Sequence, residues 1–319
     1  MSEFNLINRY FKQLTASRKD VVLGIGDDCA IMQVPEGKRL AVSTDTLIAG
    51  VHFPVSTSAE DIAYKALAVN LSDLAAMGAK PAWVSLALTL PEPDHQWLER
   101  FCSGFAKLAK IHNVQLIGGD TTRGSLSITI QVMGFVDVDN FLMRSQAKEG
   151  DLIYVSGTLG DAGLGLLSVL DKLDATESLT DCVQKLNCPV PRIELGLALT
   201  DMSCCAIDIS DGLAADLQHI LDASKCAASV ELDALPLSDE VKSYYAGQVD
   251  FNQILTSGDD YELCFTIAAS QQQKLNALAS QLNIKLTAIG KIKKGEGLEF
   301  IDSNGNTFKP EAIGYNHFL

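Results

Sequence analysis

The chain has 319 residues, a length typical of about two domains, with 47% hydrophobic residues and a formal net charge of −15. This acidity argues against a basic face for nucleic acid, so we expect no nucleic-acid partner. No apolar run reaches the roughly 18 residues of a membrane span, and the N-terminus lacks the apolar core of a secretory signal. Eight scattered cysteines without a CxxC pair indicate reduced thiols, so we expect a cytoplasmic protein without membrane association.

In chain order, the first part of the sequence predicts alternating strands and helices. Ser58 with Asp61 resembles a capping box, which marks the start of a helix. Apolar residues at helical spacing and short apolar runs give the other elements. The predicted elements are an amphipathic N-terminal helix, strands at 21–23 and 39–43, helices at 59–77 and 94–112, and strands at 114–117 and 126–136. The strand over 39–43 is expected to end at Thr44-Asp45-Thr46, and the strand over 114–117 at Gly118-Gly119-Asp120.

The second part begins after Arg144 with a strand over 152–155, and we place the domain boundary near residue 146. The predicted domains are therefore an N-terminal α/β domain over 1–146 and a C-terminal α/β domain over 147–319. The stretch "GTLGD" ending at Asp161 echoes "GIGD" ending at Asp27. "DISDGLAADL" over 208–217 likewise echoes "NLSDLAA" over 70–76, and the two echoes hint at duplicated halves.

Acidic side chains recur beside Gly, Ser or Thr, mostly where a strand is expected to end. One such acid is usually a turn or cap residue, but turns do not need an acid at nearly every strand end. Two carboxylates about 4 Å apart repel by roughly 1 to 4 kcal/mol, so a convergent set requires cations. Oxygen ligands without His or Cys indicate Mg²⁺ or Mn²⁺, and Mg²⁺ usually also binds substrate phosphates. The acids are Asp27, Asp28, Asp45, Asp73, Asp120, Asp208, Asp211 and Asp259.

Other nucleotide and catalytic motifs are absent from the sequence. It has no GxxxxGK[ST] loop, no EF-hand spacing, no GxSxG elbow and no protein-kinase signature. The GxGxxG pattern fails because Cys29 stands where the third glycine belongs. In "LGIGDDCA" the glycines allow a tight turn, and Asp28 is the expected metal ligand, while Asp27 is equally well explained as a turn residue. The sequence therefore predicts that phosphates are bound through metal.

Seven stretches together resemble the thiamine-monophosphate kinases of the aminoimidazole ribonucleotide synthetase-like superfamily. They cover nearly the whole chain: "LGIGDDCA", "STDTLIAGVHF", "AYKALAVNLSDLAAMGAKP", "LIGGDTTRG", "RSQAKEGDLIYVSG", "AIDISDGLAADLQHI" and "SGDDYELCFT". The resemblance implies a two-domain α/β fold whose N-terminal strands form a barrel at a homodimer interface. It also implies direct in-line transfer of the γ-phosphate of ATP to thiamine monophosphate with several Mg²⁺ ions, giving thiamine diphosphate and ADP.

Site residues follow from the resemblance position by position. It implies ATP contacts at Gly119, Asp120, Arg144 and Ser210, and thiamine monophosphate contacts at His52, Asp259 and Tyr315. It implies metal ligands at Asp28, Ser43, Thr44, Asp45, Asp73, Asp120, Asp208 and Asp211. The chain departs from the family pattern in having Asp259 where Glu is frequent, and in lacking a bulky aromatic just upstream of Tyr315. From the residues alone, Arg144 is equally a surface arginine and His52 a loop histidine.

Three other functions remain open from the residues. An ATP-dependent ligase or cyclase, like the purine-synthesis members of the superfamily, would share the metal site. A selenophosphate synthetase would need a reactive N-terminal Cys with a Lys, but the first cysteine is Cys29, within the expected metal turn. A non-catalytic module would bind Mg-ATP without turnover.

Overall fold

The computed structural model describes residues 3–173, 179–202 and 204–315. Its chain divides into two compact units: Met1–Leu74 with Ala79–Asp139, and Ala75–Gly78 with Asn140–Leu319. The predicted boundary near residue 146 stays a prediction. None of the described helices is both long enough and apolar enough to cross a membrane.

The first unit is built on a four-stranded sheet in the order β3-β6-β4-β5, which leaves β3 and β5 as edge strands. Strands β3 and β6 are antiparallel from Lys38↔Asp137 to Ile48↔Ser127, and β4 and β5 are parallel. The elements are α1 (Glu3–Leu6), a π-helix (Ile7–Phe11), β1 (Val21–Leu23), β2 (Ile31–Met32), β3 (Lys38–Ile48), α2 (Ala59–Ala76), β4 (Lys80–Leu90), α3 (His95–Ile111), β5 (Gln115–Arg123) and β6 (Ser127–Asp137).

The two long helices of this unit start where the sequence predicts. The backbone N–H of Asp61 donates to the Ser58 hydroxyl at 3.1 Å, so Ser58 caps α2, while Asp94 caps α3 through two backbone N–H groups. The predicted apolar side of α2 is buried, and so are Phe101 and Phe105 of α3. These buried faces fix the helices on the unit.

Two predicted strand ends are wrong. Strand β3 continues through Thr44-Asp45-Thr46 to Ile48, and β5 continues through Gly118-Gly119-Asp120 to Arg123. The residues resemble turn residues, but both strands lie at a sheet edge, where polar residues and glycine are tolerated. Asp45 and Asp120 therefore lie inside strands, held by cross-strand pairing.

The second unit carries a larger sheet in the order β13-β12-β9-β11-β7-β10-β8, antiparallel except for the pair β12 and β9. Its elements are β7 (Leu152–Ser156), α4 (Asp161–Val169), α5 (Thr180–Asn187), α6 (Ile193–Leu199), β8 (Cys205–Asp208), α7 (Leu213–Ser224), β9 (Ala227–Glu231), α8 (Asp239–Tyr245), α9 (Phe251–Thr256), β10 (Leu263–Ile267), α10 (Gln272–Leu282), β11 (Leu286–Lys293), β12 (Gly297–Ile301) and β13 (Thr307–Phe308). Strand β8 at one edge delivers the chain to the loop that precedes α7.

One of the two sequence echoes does not correspond in structure. Residues 70–76 lie within α2, whereas residues 209–212 form the loop between β8 and α7. Similar residues therefore occupy a helix in one unit and a loop in the other.

Candidate active site

Strand β3 and helix α2 bring two predicted metal-binding carboxylates together. The Ser43 hydroxyl donates to the Asp73 carboxylate, and the Asp45 backbone N–H donates to the Asn70 side-chain oxygen at 3.2 Å. Burial raises the pKa of Asp45 to about 7, and the nearby charge of Asp73 adds to the effect. The carboxylates of Asp45 and Asp73 thus repel each other in a partly desolvated place, where a cation would be stabilised.

Alternation along β3 sends Thr44 to the opposite face of the sheet from Ser43 and Asp45. Gln131 of β6 lies opposite Thr44, and its side-chain amide donates to the Thr44 hydroxyl at 3.4 Å. On the next strands, Ser85 of β4 pairs with Gln131, and Gly118 of β5 pairs with Ser85. Asp120 lies two residues after Gly118 and therefore on the same face of the sheet. The predicted ligands of this unit therefore fall into two groups, one on each face.

A cavity of about 710 Å³ lies within the first unit. Asp28, Gly119 and Asp120 line it, as the resemblance implies for a site that holds metal and ATP. Gly119 has φ +152°, and a Cβ there would collide with the Leu86 carbonyl oxygen of the neighbouring strand. Only glycine permits this close approach of β5 to β4.

The turn "GIGDD" enters the same cavity with its two acids in different roles. Gly26 has φ +132°, a value that favours glycine. The Asp27 carboxylate accepts the backbone N–H of Asp28 at 2.9 Å, so Asp27 closes the turn. Asp27 and Asp28 are both exposed and line the cavity, so the choice of Asp28 as the metal ligand stays a prediction.

His52 lies on a tight turn directly after β3. Its Nδ1 accepts the backbone N–H of Ile48 at 3.0 Å, while its own backbone N–H donates to the Ile48 carbonyl. A ring nitrogen that accepts a hydrogen bond carries no proton, so the neutral ring has its proton on Nε2. The role of His52 as a substrate contact stays a prediction.

In the second unit, four predicted site residues meet around the loop after β8. The backbone N–H of Asp259 donates to the Ser210 carbonyl at 2.9 Å, and that of Tyr315 donates to the Asp211 carbonyl at 3.1 Å. Asp259 has φ +70° and is held in this uncommon conformation by the hydrogen bond. Asp208, at the end of β8, is 3% exposed. Arg144 is exposed, and its carbonyl accepts from the Ser224 hydroxyl at 2.8 Å.

Comparison with known proteins identifies the family. The model described as AIR synthase related protein, N-terminal domain, matches residues 26–136, and the model of the C-terminal domain matches residues 148–303. The chain belongs to the AIR synthase related family. It is 49% identical over 321 residues to the thiamine-monophosphate kinase of Salmonella typhimurium, covering 99% of this chain and 98% of that protein. The predicted family and its two-domain α/β fold are confirmed.

Solved structures of AIR synthase related proteins agree in sequence and fold. The crystal structure of thiamine-monophosphate kinase from Stenotrophomonas maltophilia is 48% identical, with a TM-score of 0.84, over 91% of this chain and 93% of the other. A complex of AaThiL with AMPPCP and TMP is 30% identical, with a TM-score of 0.79, over 90% and 89% of the two chains.

The oxygen donors of this AIR synthase related chain fit a magnesium ion that also binds water and substrate, rather than an ion held by protein ligands alone. In the part of the chain that the structure describes, no three His, Cys, Asp or Glu side chains are close enough to hold an ion by themselves. The available donors are carboxylate and hydroxyl oxygens, and Mg²⁺ characteristically completes its coordination with water and substrate phosphates. The ligand assignments by residue stay predictions.

The sequence prediction missed one contributor to the cavity of the first unit and one to the loop after β8 of the second unit. The N-terminal segment lines the cavity through Phe4, Ile7, Asn8, Phe11 and Lys12, whereas its sequence indicated only an amphipathic helix. A π-helix within this segment is a feature often found at functional sites. Asp216 of α7 also contacts the loop after β8, although nothing in its helical sequence context distinguished it.

Proposed function

We propose that the protein is a thiamine-phosphate kinase, which transfers the γ-phosphoryl group of ATP to the phosphate of thiamine monophosphate. The proposal rests on one observation: this chain is 49% identical to a thiamine-monophosphate kinase, and the match covers nearly all of both proteins. An acidic cavity built from the motifs that suggested the activity supports it. Thiamine diphosphate and ADP are the products, and the cytoplasm is the expected compartment.

The cavity of the first unit is the proposed ATP site. Phe4, Phe11, Ile25 and Met133 give it apolar walls suited to a nucleotide base, while Gly119 and Asp120 form part of its polar side. Because Asp28 and Asp120 would repel the phosphates of ATP, the nucleotide has to bind together with cations. In the second unit, Arg144 and Ser210 are the proposed further ATP contacts.

The proposed magnesium ligands divide into groups that the fold defines. Asp28, Thr44 and Asp120 belong to the cavity face of the first sheet, and Ser43, Asp45 and Asp73 to the face covered by α2. In the second unit we assign Asp208 and Asp211 as ligands. Bound Mg²⁺ neutralises charge on the phosphates and stabilises the charge that develops during transfer.

The chain's own side chains have to position two anions rather than supply a strong base. The acceptor is already a phosphate oxygen, so no proton has to be removed before it attacks in line. The guanidinium of Arg144 suits bidentate binding of phosphate oxygens. His52, Asp259 and Tyr315 are the proposed contacts of thiamine monophosphate.

Incubation of the protein with ATP, Mg²⁺ and thiamine monophosphate tests the activity. Chromatography is expected to show thiamine diphosphate and an equal amount of ADP, and EDTA is expected to abolish both. ATP hydrolysis without thiamine diphosphate would favour a ligase or cyclase of the same family. Binding of Mg-ATP by folded protein without any turnover would favour a non-catalytic module.

We also infer that the protein is a homodimer whose subunits pair through β3. This edge strand exposes Leu40, Val42 and Ile48 on one face, and the β1–β2 pair of the same unit exposes Val22 and Ile31. A long apolar edge strand invites pairing with another chain, and a second copy is the occupant that the family resemblance implies. The predicted barrel would form from these strands.

Val42→Lys is expected to convert the dimer to a monomer. A lysine here, at a side chain now 52% exposed, would place an ammonium group in an apolar interface at a desolvation cost that pairing does not offset. Val190→Lys, at an exposed valine of the second unit, is the matched control and should leave the mass unchanged. Sedimentation equilibrium measures both, and a wild-type mass for Val42→Lys would contradict the interface.

A further inference from the structure

The loop between β8 and α7 has to present three proposed site residues, Asp208, Ser210 and Asp211, within a few positions. Gly212 ends the loop with φ +109°, and a Cβ there would come within 2.8 Å of the Thr256 carbonyl carbon. As a glycine it has no side chain to cap α7. The backbone N–H groups of Ser210 and Asp211, which precede the helix, need acceptors of their own. The loop is therefore not held by the usual residue at the helix start.

Asp216 supplies that acceptor from inside α7. Its Oδ2 accepts the backbone N–H of Ser210 at 2.9 Å and that of Asp211 at 3.0 Å, while its own N–H donates to the Gly212 carbonyl at 3.0 Å. Asp216 is only 3% exposed. One buried oxygen thus fixes the orientation of two consecutive peptide units whose side chains are proposed to meet ATP and metal.

Stability alone does not explain why this residue is an acid. Burying a carboxylate costs free energy, and the charge of Asp211 adds to that cost, whereas a neutral asparagine oxygen could accept the same two hydrogen bonds. A charged acceptor makes stronger hydrogen bonds than a neutral one, so a carboxylate holds both N–H groups more firmly than an amide oxygen would.

The geometry points to Asp216 as a positioning residue for the phosphate end of the nucleotide. Its carboxylate presents Ser210 and Asp211 together by accepting both of their backbone N–H groups. Asp216 itself contacts neither substrate. This inference rests on the proposed function, since Ser210 and Asp211 are site residues only within that proposal.

Asp216→Asn is the decisive variant, because it preserves shape and a hydrogen-bond acceptor but removes the charge. We expect the KM for ATP and the Mg²⁺ concentration for half-maximal rate to rise about three- to tenfold, with the KM for thiamine monophosphate unchanged. Asp216→Ala, which removes the acceptor as well, should show at least the same effect. Asp222→Asn is the matched control, because Asp222 is an exposed acid of α7 that accepts from the Gln218 side-chain amide. It should behave as wild type.

Binding of Mg·AMPPCP, measured by calorimetry, separates this inference from the proposed activity. If the wild type makes no thiamine diphosphate, the proposed function fails, but a weaker Kd for Asp216→Asn would still support positioning. If Asp216→Asn keeps the wild-type Kd and the wild-type KM for ATP, the inference is overturned, whether or not Asp216→Ala folds. A lowered Tm with unchanged nucleotide binding would identify Asp216 as a helix cap only.

Discussion

The two units use similar glycine turns for opposite purposes. In the first, Asp27 follows Gly26 and accepts the backbone N–H of Asp28 at 2.9 Å, and both acids are exposed in the cavity. In the second, Asp161 follows Gly160 but is 1% exposed, and it accepts from the Lys185 ammonium at 2.8 Å and from the Thr158 hydroxyl at 2.6 Å. The second turn therefore contains its own cation, whereas the acids of the first turn are open to the cavity.

The same contrast holds for larger groups of acids. In the first unit, burial and the like charge of Asp73 raise the pKa of Asp45 and so disfavour its ionisation. Glu262 of the second unit is neutralised by Arg192, whose Nε donates to it at 2.6 Å, and it also accepts from the Ser156 hydroxyl at 2.5 Å. Acids with internal cations stabilise the fold, while repelling acids indicate a place for an external cation.

Asp73→Asn tests the two repelling carboxylates, Asp45 and Asp73, and should have the largest effect of the proposed substitutions. Loss of one proposed magnesium ligand is expected to lower kcat by about a thousandfold, because transition-state charge loses its stabilisation. The amide oxygen of asparagine can still accept from Ser43, and one repelling charge is gone, so the Tm should equal or exceed that of wild type. Product formation and thermal melting measure the two effects.

Glu60→Gln serves as the control for Asp73→Asn, since Glu60 is an exposed acid in the first turn of the same helix. It should leave the rate and the Tm near wild type. Undiminished activity of Asp73→Asn would contradict the metal assignment and remove the contrast between the two units.

Arg192→Met tests Glu262, the acid of the second unit that has an internal cation. Breaking a largely buried ion pair leaves Glu262 without its counter-charge, and the expected loss is about 3 to 5 kcal/mol in the free energy of unfolding. Lys293→Met removes one partner of the exposed Lys293–Glu299 pair and should cost at most about 1 kcal/mol. Urea unfolding measures both. Equal losses from the two variants would show that Arg192 is not a structural counter-ion.

The sequence predicted the helices of the first unit because their signals are local. Ser58 and the apolar spacing that follows it are enough to define α2. The lengths of β3 and β5 were not predictable, since Thr44-Asp45 and Gly118-Gly119 have turn-like composition and only pairing with β6 and β4 makes them strand. Local composition does not contain that information.

The sequence predicted which residues belong to the site, but not the tertiary contacts around them. Asp28 and Asp120 could be selected by motif, and both line the cavity. The pairing of Arg192 with Glu262, 70 residues apart, depends on tertiary structure. The N-terminal wall of the cavity has no local signal either, because Phe4 and Lys12 are typical residues of any amphipathic helix.

Asp45→Asn should give the smallest effect, and it depends on pH. The folded-state pKa of Asp45, about 7, lies above its unfolded value near 3.8, so native Asp45 binds more protons than unfolded Asp45 across that interval. Ionising Asp45 therefore costs stability progressively as pH rises from about 4 to 7, and the cost is constant above. In metal-free buffer, the Tm of Asp45→Asn minus that of wild type should grow over this range to a few degrees.

The control for Asp45→Asn is Asp139→Asn, which removes an exposed acid from the same unit. Saturating Mg²⁺ should raise the Tm of wild type more than that of Asp45→Asn, because only the wild type retains the full set of repelling carboxylates for a cation to stabilise. A difference between Asp45→Asn and wild type that stays constant from pH 4 to 8 would mean that Asp45 ionises without cost in the fold. The first unit would then lack the electrostatic strain that distinguishes it from the second.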